Sequence, residues 1–345
     1  MVSRSTKIER IVSLDYLRGI AALSILFYHY GRGYDPTNLL NKLGLYGVSM
    51  FFVLSGLSMA IVYHKKVNNL KSATRFFVKR IFRIFPLHIL ICCLFITYNL
   101  INGIELSLYQ VFINFTGLFG FIDPSNYIAK GAWSIGNELV YYAFTPIILY
   151  IYDRWRKIGN TLFLFTIGLG IFFAFYKINS SLPLNDQWST YVNPFNNMFL
   201  YVSGIFMYYN LNNIKIRKWI AIVILVIAVG VLIALPFNSR IFLVTNYIRF
   251  LYCFIVYIIV FAFYKIKFQK RTFIGKIFDA FGMATYGIYL FHSIILLLLL
   301  LVFSHSIYIL MLSFVLTIVV SLVSYYKMEL PISNIGKKLV NKALK

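Results

Sequence analysis

Ten stretches of about twenty apolar residues recur along this chain, each long enough to cross the hydrocarbon core of a bilayer as a helix. They run roughly over 11–30, 43–63, 84–102, 133–152, 159–176, 194–210, 219–236, 243–264, 282–302 and 306–326. A shorter apolar piece at 104–121, interrupted by Gly117 and Gly120, reads as a re-entrant or interfacial segment. Inside lipid every backbone amide must find a partner within the protein, which leaves helices or closed barrels. The length of these segments selects helices. The sequence therefore predicts an all-α, polytopic integral membrane protein of about ten transmembrane helices, forming one domain over residues 1–345.

Charge supports that reading. Only 12% of the 345 residues are charged, against about a quarter in an ordinary soluble domain. A net charge of +23 would suit a nucleic-acid binder, but the basic residues cluster between the apolar segments, the pattern that sets membrane topology. When the ten spans alternate, 26 of the 33 basic residues fall on one side, and Arg32, Lys42, Lys130, Lys177 and Arg240 on the other. This places both termini in the cytoplasm and predicts no nucleic-acid partner. Arg4, Lys7 and Arg10 resemble a signal-peptide n-region, yet Asp15 and Arg18 follow without a small-residue cleavage site, so the first segment reads as a retained helix. The three cysteines, Cys92, Cys93 and Cys253, sit in apolar runs without metal-ligand spacing, and predict neither disulfide nor metal.

The first segment, IVSLDYLRGIAALSILFYHY, carries three polar groups on one helical face. Eleven residues from Arg18 to His29 advance a helix by about 16 Å and return it to nearly the same side, and Asp15 falls within about 40° of that stripe. Ionisable groups at such depth usually face a cavity or a partner; alternatively, Asp15 and Arg18 form an i,i+3 pair that fixes packing. A histidine beside a carboxylate can serve as a general base. Under the alternating topology His29 and Glu138, in WSIGNELVYY, both lie towards the outside, which makes them a candidate pair. Interfacial histidine is the plain alternative, and Arg249 the plain partner for Glu138.

Three other stretches stand out. KSATRFFVKRIFRIFP carries Arg75, Lys79 and Arg83 at i, i+4, i+8, with Arg80 beside them. This basic stripe suits anionic lipid headgroups or a phosphorylated ligand, because guanidinium forks match phosphate. Pro86 marks entry to the next helix. GVSMFFVLSGLSMA, with its small residues, permits close helix contact or leaves room for a ligand. MATYGIYLFH sets Tyr286, Tyr289 and His292 at three-residue steps, a row that ordinarily packs in a core.

Together, LDYLRGIAALSILFYH, FFVLSG, FFVKRIFRIFP, WSIGNE and TYGIYLFH resemble the membrane-bound acyltransferase-3 family, in the family's order and over about residues 11–330. Its hallmark, a basic residue, ten residues, then histidine, is met by Arg18 and His29. WSIGNE departs from the usual WSLSVE-like pattern at Gly136 and Asn137 and keeps Glu138. The resemblance implies an O-acyltransferase, most simply an O-acetyltransferase of the bacterial cytoplasmic membrane. It implies a cytoplasmic acyl-CoA donor, such as acetyl-CoA, and an outward hydroxyl acceptor on a surface glycan or its lipid-linked precursor. On that reading His29 and Glu138 are catalytic. Asp15, Arg18, Trp133, Tyr286 and His292 contact substrate, Arg80 and Arg83 hold the donor's phosphates, and membrane lipids are the remaining partners. The chain resembles the stand-alone type, with no fused extracytoplasmic domain. The rival expectation is an exporter of a polysaccharide or lipid-linked sugar, since polar stripes and basic loops suit transporters too.

Overall fold

The computed structural model describes residues 11–31, 39–237, 239–266 and 273–343. Arg4, Lys7, Arg10 and Arg32, and the basic stretch 267–272, lie outside them. Among the described residues the protein is helical throughout, and each of the ten apolar segments falls on a helix. Five helices are long and apolar enough to cross a membrane, and six if a bent pair counts as one span.

Helices α1 (Val12–Gly31) and α2 (Leu39–Tyr63) pack side by side, and α3 (Leu70–Ile101) follows. A capping box starts α3: Asn69 accepts from the Ser72 amide, and the Ser72 hydroxyl faces the Asn69 amide in return. This helix corrects two expectations. It begins at residue 70 rather than near 84, and it runs through Pro86 instead of starting there. Its 32 residues span about 48 Å, so the basic stripe and the apolar span are one continuous rod. A mid-helix proline disturbs the carbonyls of the preceding turn. The Tyr286 hydroxyl donates to the Ile84 carbonyl at 2.9 Å, two residues before the proline, and ties α13 to this part of α3.

The short apolar piece forms α4 (Leu108–Thr116) and α5 (Phe119–Ile122), broken at Gly117, whose φ of +74° favours glycine. Next come α6 (Trp133–Arg154), α7 (Arg156–Phe172) with a π-turn to Lys177, the single turn α8 (Trp188–Tyr191), and α9 (Pro194–Leu211). Pro194 opens α9 at N1, behind an Asn193 cap. Then follow α10 (Lys218–Ala234) and α11 (Asn246–Lys265), and α12 (Phe273–Met283), which bends by 71° into α13 (Thr285–Leu300). Finally α14 (Ile307–Ser324) passes through a π-turn, Tyr325–Glu329, into α15 (Leu330–Ala343).

Helix α2 is the most buried of the long apolar helices. Its glycines do what small residues do between apolar helices. A Cβ on Gly56 would stand 1.9 Å from the Tyr201 carbonyl oxygen, and one on Gly204 would stand 2.1 Å from that of Val53, so α2 and α9 meet backbone to backbone.

Three polar residues knit the bundle. Lys42, counted above with the external loops, is buried within α2. Its ammonium donates to the carbonyls of Leu232, Ile233 and Leu235 at 3.3, 2.8 and 2.5 Å, closing the C-terminal end of α10 as a cation should. Lys265 does the same for α9 at the Leu211 and Asn212 carbonyls. Arg249, also buried, donates to the Asn196 side chain and carbonyl and to Asn197.

Candidate active site

Six helices and the terminal helix line a cavity of about 520 Å³, within the size range of small-molecule sites. From α1 come Asp15 and Arg18; the guanidinium donates to Asp15 at 2.6 Å and to the Ser58 hydroxyl. The expected ion pair is therefore present, and it faces the cavity. From α2 come Ser55 and Ser58, so the small-residue stretch serves both of its readings: its glycines face helices and these serines face space. From α6 comes Glu138, which accepts from the Ser55 hydroxyl at 2.5 Å and from Tyr142. Gly136, the departure from the family pattern, has a packing reason. A Cβ on Gly136 would stand 2.6 Å from the Phe119 ring and 3.0 Å from the Gly120 Cα of α5.

One end of the cavity is basic. Arg80 stands 5.7 Å from the ring of Tyr63, 5.9 Å from that of Phe76 and 5.7 Å from that of Tyr142. It donates to the Tyr63 hydroxyl at 3.3 Å, while its Nε finds no partner among the described residues. Stacking holds a guanidinium flat and leaves donors at its edge. Arg83 lies 5.8 Å above the Tyr286 ring and pairs with Glu329 at 2.7 Å. Glu329 is buried, and its second oxygen has no hydrogen-bond partner among the described residues. Ser333 and Lys337 of α15 complete this wall. Four cations, Arg18, Arg80, Arg83 and Lys337, and two carboxylates, Asp15 and Glu138, thus line the cavity.

Tyr289 closes the other end, and His29 and His292 stand behind it, outside the cavity lining. Tyr289 lines the cavity, and its hydroxyl donates to the Gly131 carbonyl at 2.7 Å beside Ser134. The His292 ring lies 6.1 Å from the Tyr289 ring and 4.8 Å from that of His29. His292 is buried; its Nδ1 donates to the Tyr289 carbonyl at 2.7 Å, which leaves Nε2 to accept from Ser293 at 3.0 Å. His29 is exposed.

The register of α1 on α2 corrects one expectation. A Cβ on Gly44 would touch Tyr28, so His29 stands near the level of Gly44. Glu138 binds Ser55, eleven residues further along α2, or about 16 Å. A glutamate side chain does not reach that far. Glu138 sits about one turn from Ser58, the partner of Arg18, and the neighbour of His29 is His292. Arg249 is not the partner of Glu138 either, since it holds Asn196. Trp133 packs among Phe52, Trp188 and Tyr191, outside the cavity lining.

The acyltransferase-3 family model, described as an acyltransferase domain, matches residues 11–326. The chain belongs to the acyltransferase-3 family. Among its relatives is "Peptidoglycan O-acetyltransferase OatA" of Listeria monocytogenes, 24% identical over 84% of this chain and 50% of that protein. "Nodulation protein 10" of Rhizobium leguminosarum is 28% identical over 43% of this chain and 46% of its own length. "Protein 2 in picA locus" of Rhizobium radiobacter is 32% identical over 43% of this chain and 83% of its own. The chain thus spans about half the length of the first two relatives. No solved structure matches it.

Sequence reasoning missed several residues of this family member's cavity. Ser55, Ser58 and Tyr142 lay inside stretches already singled out. Glu329, a lone acid just past the last apolar segment, was the available signal for a partner to Arg83. Ser333 and Lys337 gave none, because a basic tail reads as solvated.

Proposed function

We propose that this protein is an integral membrane O-acyltransferase of the bacterial cytoplasmic membrane. It moves an acyl group, most simply acetyl, from cytoplasmic acyl-CoA to a hydroxyl of a surface glycan or its lipid-linked precursor. The observation that carries this reading is a cavity, in a member of an acyltransferase family, that is basic at one end and reaches Tyr289, beside a histidine pair, at the other. Ten spans with both termini inside put the basic end at the cytoplasm and His29 towards the outside, in line with the basic-residue asymmetry.

In this reading Arg80 and Arg83 hold the donor's phosphates, because forked, stacked guanidiniums suit phosphate oxygens. The neutral arm of the donor threads past Arg18, Ser55 and Glu138, where hydroxyls and a carboxylate face its amides. The thioester then lies near Tyr289. His29 removes the proton of the incoming hydroxyl, whose oxygen attacks the thioester carbonyl. The C–S bond breaks, and the thiolate leaves towards the basic end and takes up a proton. His292, with Nδ1–H committed to the backbone, stands against His29 and limits its ring orientation. Trp133 packs behind the serine-bearing wall, and membrane lipids complete the surroundings.

Purified protein given acetyl-CoA and a glycan acceptor should release free CoA thiol and acetylate the acceptor. Intact acetyl-CoA, together with sugar transported across vesicles, would replace this reading with an exporter.

A further inference from the structure

Helix α15 lies beyond residue 326, where the family match stops. It is nevertheless part of the cavity wall. Leu330, Ser333 and Lys337 line the cavity and recur at i, i+3 and i+7, one face of a helix. Gly336 and Val340, on the adjoining face, are buried. A Cβ on Gly336 would stand 2.6 Å from the Phe82 Cβ, so α15 rests directly on α3 between Arg80 and Arg83. The Arg83–Glu329 pair, 2.7 Å, ties the same turn of α3 to the residue that precedes α15. Two contacts therefore fix the register of the terminal helix against the two arginines.

We infer that α15 supplies a third cation, Lys337, to a polyphosphate site formed with Arg80 and Arg83, with Ser333 offering a hydroxyl beside it. The charge arithmetic favours a ligand of more than one negative charge. Arg83 is already paired by Glu329, so a single phosphate on Arg80 would leave Lys337 without a role. A diphosphate, or two phosphates on one molecule, would engage both helices. Lys337 is exposed and, among the described residues, is bonded to Asn334 at 3.1 Å on its own helix, so it can turn to a ligand without breaking the core. That the ligand is the nucleotide end of acyl-CoA rests on the function proposed above; the phosphate chemistry does not.

The test is calorimetric titration of CoA, and separately of inorganic pyrophosphate, into the full chain in phosphatidylcholine nanodiscs. Lys337→Ala should weaken CoA binding about fivefold, the scale of one ionic contact at a partly exposed site, and the difference should shrink as salt rises. Lys337→Arg should restore affinity. Lys338→Ala, on the same helix but off the cavity lining, should match wild type. Equal CoA affinity for wild type and Lys337→Ala overturns the site and leaves the acyl-CoA reading intact. Pyrophosphate binding that depends on Lys337, in a protein that does not bind CoA, upholds the site and removes the acyl-CoA reading. Binding of neither probe overturns both. If Lys337→Ala leaves binding of both probes unchanged and lowers only the retention of phosphatidylglycerol around the protein in mixed-lipid nanodiscs, the phosphate is a lipid headgroup and the soluble-ligand site is overturned.

Discussion

At the basic end of the cavity, Arg80, Arg83 and Lys337 come from α3 and α15, held by ring stacking, an ion pair and a glycine contact. At the other end Tyr289 lines the cavity, and behind it the imidazoles of His29 and His292 stand 4.8 Å apart, with His292 fixed by the backbone. The first end offers several cations on two helices. The second offers one exposed imidazole, His29, beside the buried His292, and in the proposed reaction His29 is the base. In the proposed reaction donor binding and chemistry are thereby separated, and variants at the two ends should fail in different ways.

The largest effect belongs to the histidine end. His29→Ala should lower acyl transfer at least about 100-fold, the usual scale of a positioned base, while CoA affinity by calorimetry stays at the wild-type value. A joint loss of transfer and affinity would erase the distinction between the ends. Next comes the basic end. Arg80→Ala with Arg83→Ala should raise the acyl-CoA KM about tenfold or more, as charge-assisted bonds to phosphate do. Turnover at saturating donor should change little. A fall in turnover with KM unchanged would move these arginines into the chemistry. The smallest effect tests the ion pair. Glu329→Gln removes the charge that competes with phosphate for Arg83, so CoA should bind about threefold tighter, a partly screened charge effect. The melting temperature should fall, because the buried pair is broken. Weaker CoA binding would mean that Glu329 holds Arg83 in its working position.

Much of the fold was legible because apolar length is a strong signal: each of the ten segments is helical. The extent of α3 was not legible. Proline read as a helix start, whereas a helix can run through an internal proline at the loss of one backbone hydrogen bond. Asp15 with Arg18, and Arg80 with Arg83, were legible as cavity candidates because charge in an apolar helix needs a reason. The Glu138–His29 pairing failed for a geometric cause. Equal depth was inferred from the order of spans, and depth along a helix is set by the register between helices, which here follows from Gly44 against Tyr28. Lys337 was invisible because a tail residue acquires meaning only when its helix docks.

The central claim is that donor and acceptor enter from opposite faces of the membrane. It is tested most directly in proteoliposomes of fixed orientation, scored by impermeant labelling of cysteines introduced at Lys71 and Asp186. Acetyl-CoA supplied only on the Lys71 face should support acceptor acetylation on the Asp186 face, and acetyl-CoA supplied only on the Asp186 face should not. Equal use of donor from both faces, or labelling of both cysteines from one side, would contradict the account.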